Sequence, residues 1–96
     1  MTDTPKRAYV LIDHALTVVT KREISLAELE AVINSPGQIV SEQKGRRAYQ
    51  SLITGPDGKE RVFRAIVEEG EPLTVVTIYI SSRITKYWRS SSTTPG

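Results

Sequence analysis

The side chains able to do chemistry in this chain are few, and most are cationic or aromatic. His14 is the one histidine, and cysteine is absent. Imidazole is the group whose ordinary pKa suits proton transfer near neutrality. Without cysteine there is no thiolate nucleophile, no disulfide framework and no zinc ribbon. The sequence has no HExxH run, EF-hand loop, P-loop, GxGxxG turn or GxSxG elbow, so no metal or cofactor is expected. What remains is Arg64, Thr77 and Tyr79, followed by Lys86, Tyr87 and Trp88. Guanidinium and ammonium groups hold phosphate, and tyrosine or tryptophan rings stack on bases. In RNA cleavage by the adjacent 2′-hydroxyl, such cations would also stabilise the charge that develops on the phosphate. The plainer reading is that His14 packs at a helix end and that Tyr87 and Trp88 anchor the C-terminal segment on the core.

These residues need a sheet to carry them. Residues 61–68 and 73–80 are two β-branched-rich runs separated by Glu69-Gly70-Glu71-Pro72, the pattern of a β-hairpin. Centring that hairpin on Gly70-Glu71 sets Arg64 opposite Thr77, Val62 opposite Tyr79 and Ile66 opposite Val75. The other face then pairs Phe63 with Ile78, Ala65 with Val76 and Val67 with Thr74, because side chains alternate along a strand. An arginine in the middle of the most apolar hairpin is costly to bury without partners. It is the first sign of a site.

The remaining elements follow in order. Residues 8–12 read as a short strand. Asp13 then caps a helix over 14–22 with Ala15, Leu16 and Val19 inward, although the Thr17-Val18-Val19-Thr20 run also suits one long strand over 9–20. Ser25-Leu26-Ala27-Glu28 is a capping box, with Ile24 and Leu29 at the staple positions. The spacing of Leu26, Leu29, Val32 and Ile33 predicts a helix over Leu26–Asn34, stopped by Ser35-Pro36-Gly37. Strands follow over 38–42 and 46–54, with a turn at Lys44-Gly45. Gly55-Pro56-Asp57-Gly58 is strong turn chemistry. This order gives an α+β domain over residues 8–88, with a flexible N-terminus over 1–7 and a disordered tail over 89–96.

Ninety-six residues are enough for one domain with a modest core. No apolar run approaches the roughly 20 residues of a membrane helix, and a cytoplasmic protein is expected. The net charge is only +2, but it is unevenly spread. Residues 23–43 hold Glu23, Glu28, Glu30 and Glu42 and no base, whereas Lys44, Arg46, Arg47, Lys59, Arg61 and Arg64 crowd the next stretch. A basic sheet half suits a polyanion such as nucleic acid, or an acidic protein partner.

Several short motifs occur in a consistent order: His14-Ala15, Arg22, Ile24-Ser25 with Glu28-Leu29, Asn34-Ser35-Pro36, Arg47 and Tyr49. They continue with Phe63-Arg64-Ala65-Ile66-Val67, Val75-Val76-Thr77-Ile78-Tyr79 and the ending Lys86-Tyr87-Trp88. This series resembles a bacterial family of small uncharacterised domains grouped with the RelE/ParE toxin superfamily and similar to BrnT-like toxins. The resemblance spans residues 9–88. It implies two N-terminal helices packed on a twisted antiparallel β-sheet, in the order β-α-α-β-β-β-β, and hence a helix over 14–22. The family's recurrent polar positions fall on His14, Arg22, Arg64 and Thr77. At Val18, where many relatives carry an arginine one turn after the histidine, this chain departs from it.

The expected function is that of a toxin-like protein of a toxin–antitoxin system, acting as a metal-independent endoribonuclease of the mRNA interferase kind. Arg64 and Lys86 would sit on the scissile phosphate, and His14 or Tyr87 would move the proton. Arg22, Arg46, Arg47, Tyr49, Thr77, Tyr79 and Trp88 would bind RNA or support the site. The expected partners are RNA, including ribosome-bound mRNA, and a small antitoxin. Two alternatives stand beside it. One is a non-catalytic RNA- or protein-binding module in which His14, Arg22 and Arg64 form a structural network. The other is a ParE-like topoisomerase inhibitor.

Overall fold

A computed structural model describes residues 8–88. The segments 1–7 and 89–96, expected to be flexible and disordered, lie outside the described residues. The elements run β1 (Tyr9–Leu11), α1 (Asp13–Lys21), α2 (Leu26–Asn34), β2 (Gln38–Ser41), β3 (Arg47–Thr54), β4 (Glu60–Glu68), β5 (Leu73–Ser81) and α3 (Ile84–Tyr87). The five strands form one sheet in the order β1-β5-β4-β3-β2. The domain is α+β, as expected, with two corrections. The sheet is mixed, because β1 joins the β5 edge in parallel, with Tyr9 opposite Leu73 and Leu11 opposite Val75. Nor are all the helices N-terminal, since α3 follows the last strand. Among the described residues no helix is long and apolar enough to cross a membrane.

The first helix overrides its local propensity through packing and an unusual C-terminus. Ala15 and Val19 are buried against the sheet, whereas Leu16, expected inward, is exposed. The Thr17 hydroxyl donates to the Asp13 carbonyl at 3.0 Å, so its polar group is satisfied within the helix. At the far end the Ile24 N–H reaches the Val19 carbonyl at 3.0 Å and the Glu23 N–H reaches Thr20 at 3.4 Å. These are the two bonds of a Schellman motif, completed by burial of both Val19 and Ile24. Glu23 takes the left-handed position, φ 52°, that glycine usually fills.

The second helix follows its sequence signals. The Glu28 N–H donates to the Ser25 hydroxyl at 3.1 Å, and Ile24 and Leu29 both enter the core as a hydrophobic staple. Leu29, Val32 and Ile33 are buried, while Leu26, in the first turn, is exposed. Both helices cover one face of the sheet, where they meet Tyr49, Phe63, Ala65, Val67, Leu73, Val75 and Ile78. Each large apolar side chain buried there contributes about 1.5–3 kcal/mol.

The two hairpins fix which residues share the other face. Between β3 and β4, the Gly58 N–H closes on the Gly55 carbonyl at 2.9 Å, with Gly58 at φ 79°. Asp57 accepts from the Lys59 N–H at 3.1 Å and from both ends of the Arg61 guanidinium at 3.0 and 2.8 Å. This turn sets Gln50 opposite Arg64 and Leu52 opposite Val62. Between β4 and β5 the expected register is corrected. Arg64 stands opposite Tyr79, Ala65 opposite Ile78 and Val67 opposite Val75, with a shift between Ile66 and Val67. Val76 is the extra residue, a bulge that lets Val75 and Ile78 both face the helices.

Replacing Glu23 by Gly should raise stability by about 1 kcal/mol in urea unfolding, because glycine bears the left-handed conformation without the Cβ clash. The Asp57 carboxyl is held at about 2, below its ordinary 3.8, first by the Arg61 side-chain hydrogen bond and then by the Lys59 N–H. A folded-state pKa that is depressed stabilises the fold above the ordinary value and ceases to do so as the pH falls through the lowered one. The stability gap between the wild type and Asp57→Asn should therefore be present above pH 3.8 and close as the pH falls to about 2.

Candidate functional site

Strand β4 is the centre of the sheet, so its alternating side chains are covered from both sides. Phe63, Ala65 and Val67 face α1 and α2. Arg64, between them, points to the opposite face and is only 3% exposed. An uncompensated guanidinium there would cost several kcal/mol. Each of its three nitrogens is met by a side chain: Nε donates to Gln50 Oε1 at 2.8 Å, Nη1 to the Tyr79 hydroxyl, and Nη2 to Glu42 Oε2 at 2.7 Å. The guanidinium also lies over two rings, with its Cζ 4.4 Å from the Tyr87 centroid and 5.3 Å from that of Tyr79. The rings meet edge to face at 5.8 Å. Cation–π contact adds to the ion pair in a site partly shielded from water.

Gln50 ties this arginine to the elements around it. It is fully buried. Its amide nitrogen donates to Gln38 Oε1 on β2 and to the Tyr87 carbonyl at the end of α3, each at 2.9 Å. One side chain thus links the central strand, the β2 edge and the C-terminal helix. That helix folds back across the second face and brings Tyr87 over Arg64. Lys86 Nζ, at the exposed rim, lies 5.1 Å from the same Tyr87 ring. Trp88 closes the far end against Gly37, where a Cβ would lie 2.7 Å from Trp88 Cη2. A side chain at position 37 would therefore have to displace the indole.

The Tyr79 hydroxyl is pushed above its ordinary 10.0 by burial, which outweighs the opposing pull of Arg64; the Tyr87 hydroxyl and the Glu42 carboxylate act in the same direction as burial. Tyr79 therefore stays protonated at neutral pH. Having accepted from Arg64, it keeps an O–H to donate.

The residues singled out from the sequence divide into three groups. Arg64, Tyr79, Lys86 and Tyr87 come together on the α3 side, with Trp88 just after α3 against Gly37 and Thr77 on the same face opposite Ile66. His14 and Arg22 are exposed on and just after α1, so the sheet stands between them and Arg64. Arg46, Arg47 and Tyr49 form a third group with two acids at one end of the sheet. Arg46 Nε meets Glu68 at 3.1 Å, while Glu69 takes Arg47 Nε at 3.0 Å and the Tyr49 hydroxyl at 2.6 Å. The Tyr49 ring is buried in the main core. Gln50, Glu42 and Gln38 are site residues that sequence reasoning missed. A shallow groove along α2, lined by Ala27, Glu30, Ala31 and Asn34, lies in the other layer.

Fold and site together define a small α+β domain with a buried arginine clamped between a central strand and a C-terminal helix. The chain belongs to a family described as a domain of unknown function, DUF4258, whose sequence profile matches residues 11–80. No curated protein and no solved structure gives a match.

Because Gln50 satisfies three partners at once, Gln50→Leu should lower the unfolding free energy by about 2–4 kcal/mol despite its apolar gain. Combined with Arg64→Met, its cost should fall short of the sum of the two single changes by about 1–3 kcal/mol. Urea unfolding of the four proteins of this cycle measures both.

Proposed function

We propose that this domain is a toxin-like, RNA-directed protein of the RelE/ParE kind and that it meets RNA on the α3 side of its sheet. The observation that carries the proposal is the clustering of Arg64, Tyr79, Tyr87 and Lys86 at one spot, with two cations against one tyrosine ring. Cations on phosphate and rings on bases are the elements of single-strand binding. The motif series that resembles BrnT-like toxins supports the same reading, since Arg64, Thr77 and Lys86-Tyr87-Trp88 all belong to it. In this proposal Arg64 and Lys86 stabilise the charge on a phosphate, Tyr79 and Tyr87 supply hydroxyls and ring faces, and His14 lies outside the RNA face. A small acidic antitoxin would cover the same cationic rim.

A second reading has its own observation. All three guanidinium nitrogens of Arg64 are occupied by protein groups, and the one histidine lies on the helix layer. Those facts favour a module that binds without cutting, with Arg64 as a structural member.

Induced expression should arrest growth and shorten cellular mRNA. Lys86→Ala, at an exposed position that keeps the fold, should relieve both effects, whereas His14→Ala should leave them in place. Relief by His14→Ala alone would move the active surface to the helix layer. Unimpaired growth at high soluble expression, with RNA binding that weakens steeply with salt, would favour the module that binds without cutting.

A further inference from the structure

The acid that neutralises Arg64 is unlike its other partners. Gln50 is fully buried and Arg64 nearly so, but the Glu42 side chain is 30% exposed against 4% for that of Arg64. The pair therefore lies at the water boundary, with the cation inside and the carboxylate reaching in from solvent. Glu42 directly follows β2, and its backbone is held by a hydrogen bond from its N–H to the Arg46 carbonyl at 2.8 Å. Its side chain is an arm on a fixed base. The carboxylate end reaches Arg64 Nη2 at 2.7 Å, and the Tyr79 hydroxyl meets Nη1 of the same guanidinium. Tyr79 has its own proton to give, and Lys86 stands at the exposed rim beside Tyr87.

We propose that Glu42 is an internal stand-in for a phosphate oxyanion, and that the position of its carboxylate is the anion subsite of this face. This rests on the reading that the α3 side meets RNA. A phosphate arriving there would take the Arg64 Nη2 donor and the Tyr79 O–H and would neutralise Lys86, while Glu42 swings into water. The exchange begins and ends with Arg64 paired to an anion. Arg64 trades one charge-assisted bond for another, and Glu42, already partly exposed, exchanges its bond to Arg64 for hydration as it leaves. The same exchange makes the free protein self-protected: a ligand must outcompete a tethered carboxylate, so weak anions are excluded. A free phosphate ion and the phosphodiester of an RNA strand present the same oxygens, and the subsite chemistry is shared by both.

Glu42→Gln removes the competing charge while keeping the side-chain shape. Its affinity for inorganic phosphate, measured at matched ionic strength by NMR titration of the Arg64 Nε–H and Tyr79 ring signals, should exceed that of the wild type by about tenfold to a hundredfold, the worth of one charge-assisted bond. Phosphate should also raise its melting temperature more than it raises that of the wild type. A short single-stranded RNA should show the same gain. If the gain is seen with phosphate and RNA does not bind, the subsite stands and the RNA reading falls. If Glu42→Gln stays folded and neither ligand binds it more tightly than the wild type, the subsite is overturned, and RNA binding of equal strength by both proteins would leave the functional reading intact on another surface. Should Glu42→Gln fail to fold, Glu42→Asp draws the carboxylate back by one methylene and keeps the charge nearby. A tighter phosphate affinity than wild type then supports the stand-in, and an unchanged one overturns it.

Discussion

The structure depends on how one charge is kept inside. Arg64 sits on the central strand of the sheet, at a position where alternation forces it away from the main core and into a second, smaller one. Every element on that side is arranged around it. Strand β3 supplies Gln50, the end of β2 supplies Glu42, β5 supplies Tyr79, and α3 supplies the Tyr87 ring. Four separate stretches of chain therefore have to be in register before the guanidinium is satisfied. A buried ion pair is weak as a source of stability but strong as a demand on geometry. That demand explains why a helix of four residues, too short to hold itself together, has a defined place.

The two faces of the sheet are held by different physics. On the α1–α2 face the contacts are apolar and tolerant of small changes of shape. On the α3 face, Val62 and Ile66 are buried beside a hydrogen-bonded network in which Arg64 and Gln50 donate to named acceptors. Directional contacts of this kind either all form or leave costly gaps. The Arg64 guanidinium and the rings of Tyr79 and Tyr87 are consequently fixed in position, while the helix layer turns Leu16 and Leu26 outward beside the exposed His14, Arg22 and Glu28.

Much of this was legible from residue order, and the gaps have physical causes. The capping box and staple located α2, and the Gly55-Pro56-Asp57-Gly58 turn located the β3–β4 hairpin. Centring that hairpin on Asp57 places Gln50 opposite Arg64, so this partner could have been read directly. The β4–β5 register could not. The run Thr74-Val75-Val76-Thr77-Ile78 is apolar or small at every position, so alternation does not reveal that Val76 bulges. The identity of Tyr79 as the cross-strand neighbour of Arg64 depends on that one extra residue. Glu42 and α3 were hidden for a different reason: their roles arise from contacts between distant segments, which no local period records. His14 looked informative because it is chemically singular, yet its helix lies across the sheet from Arg64.

The parallel pairing of β1 with β5 has a consequence in time. Tyr9 to Leu11 must wait for Leu73 to Val75 before their backbone groups find partners, and such distant closures come late because loop entropy is lost before contacts reward it. On a ribosome the first strand is made first and seated last. Until then its apolar side chains and the open flank of β5 are both unprotected, which makes this seam the place where a partly made chain is most prone to associate with another.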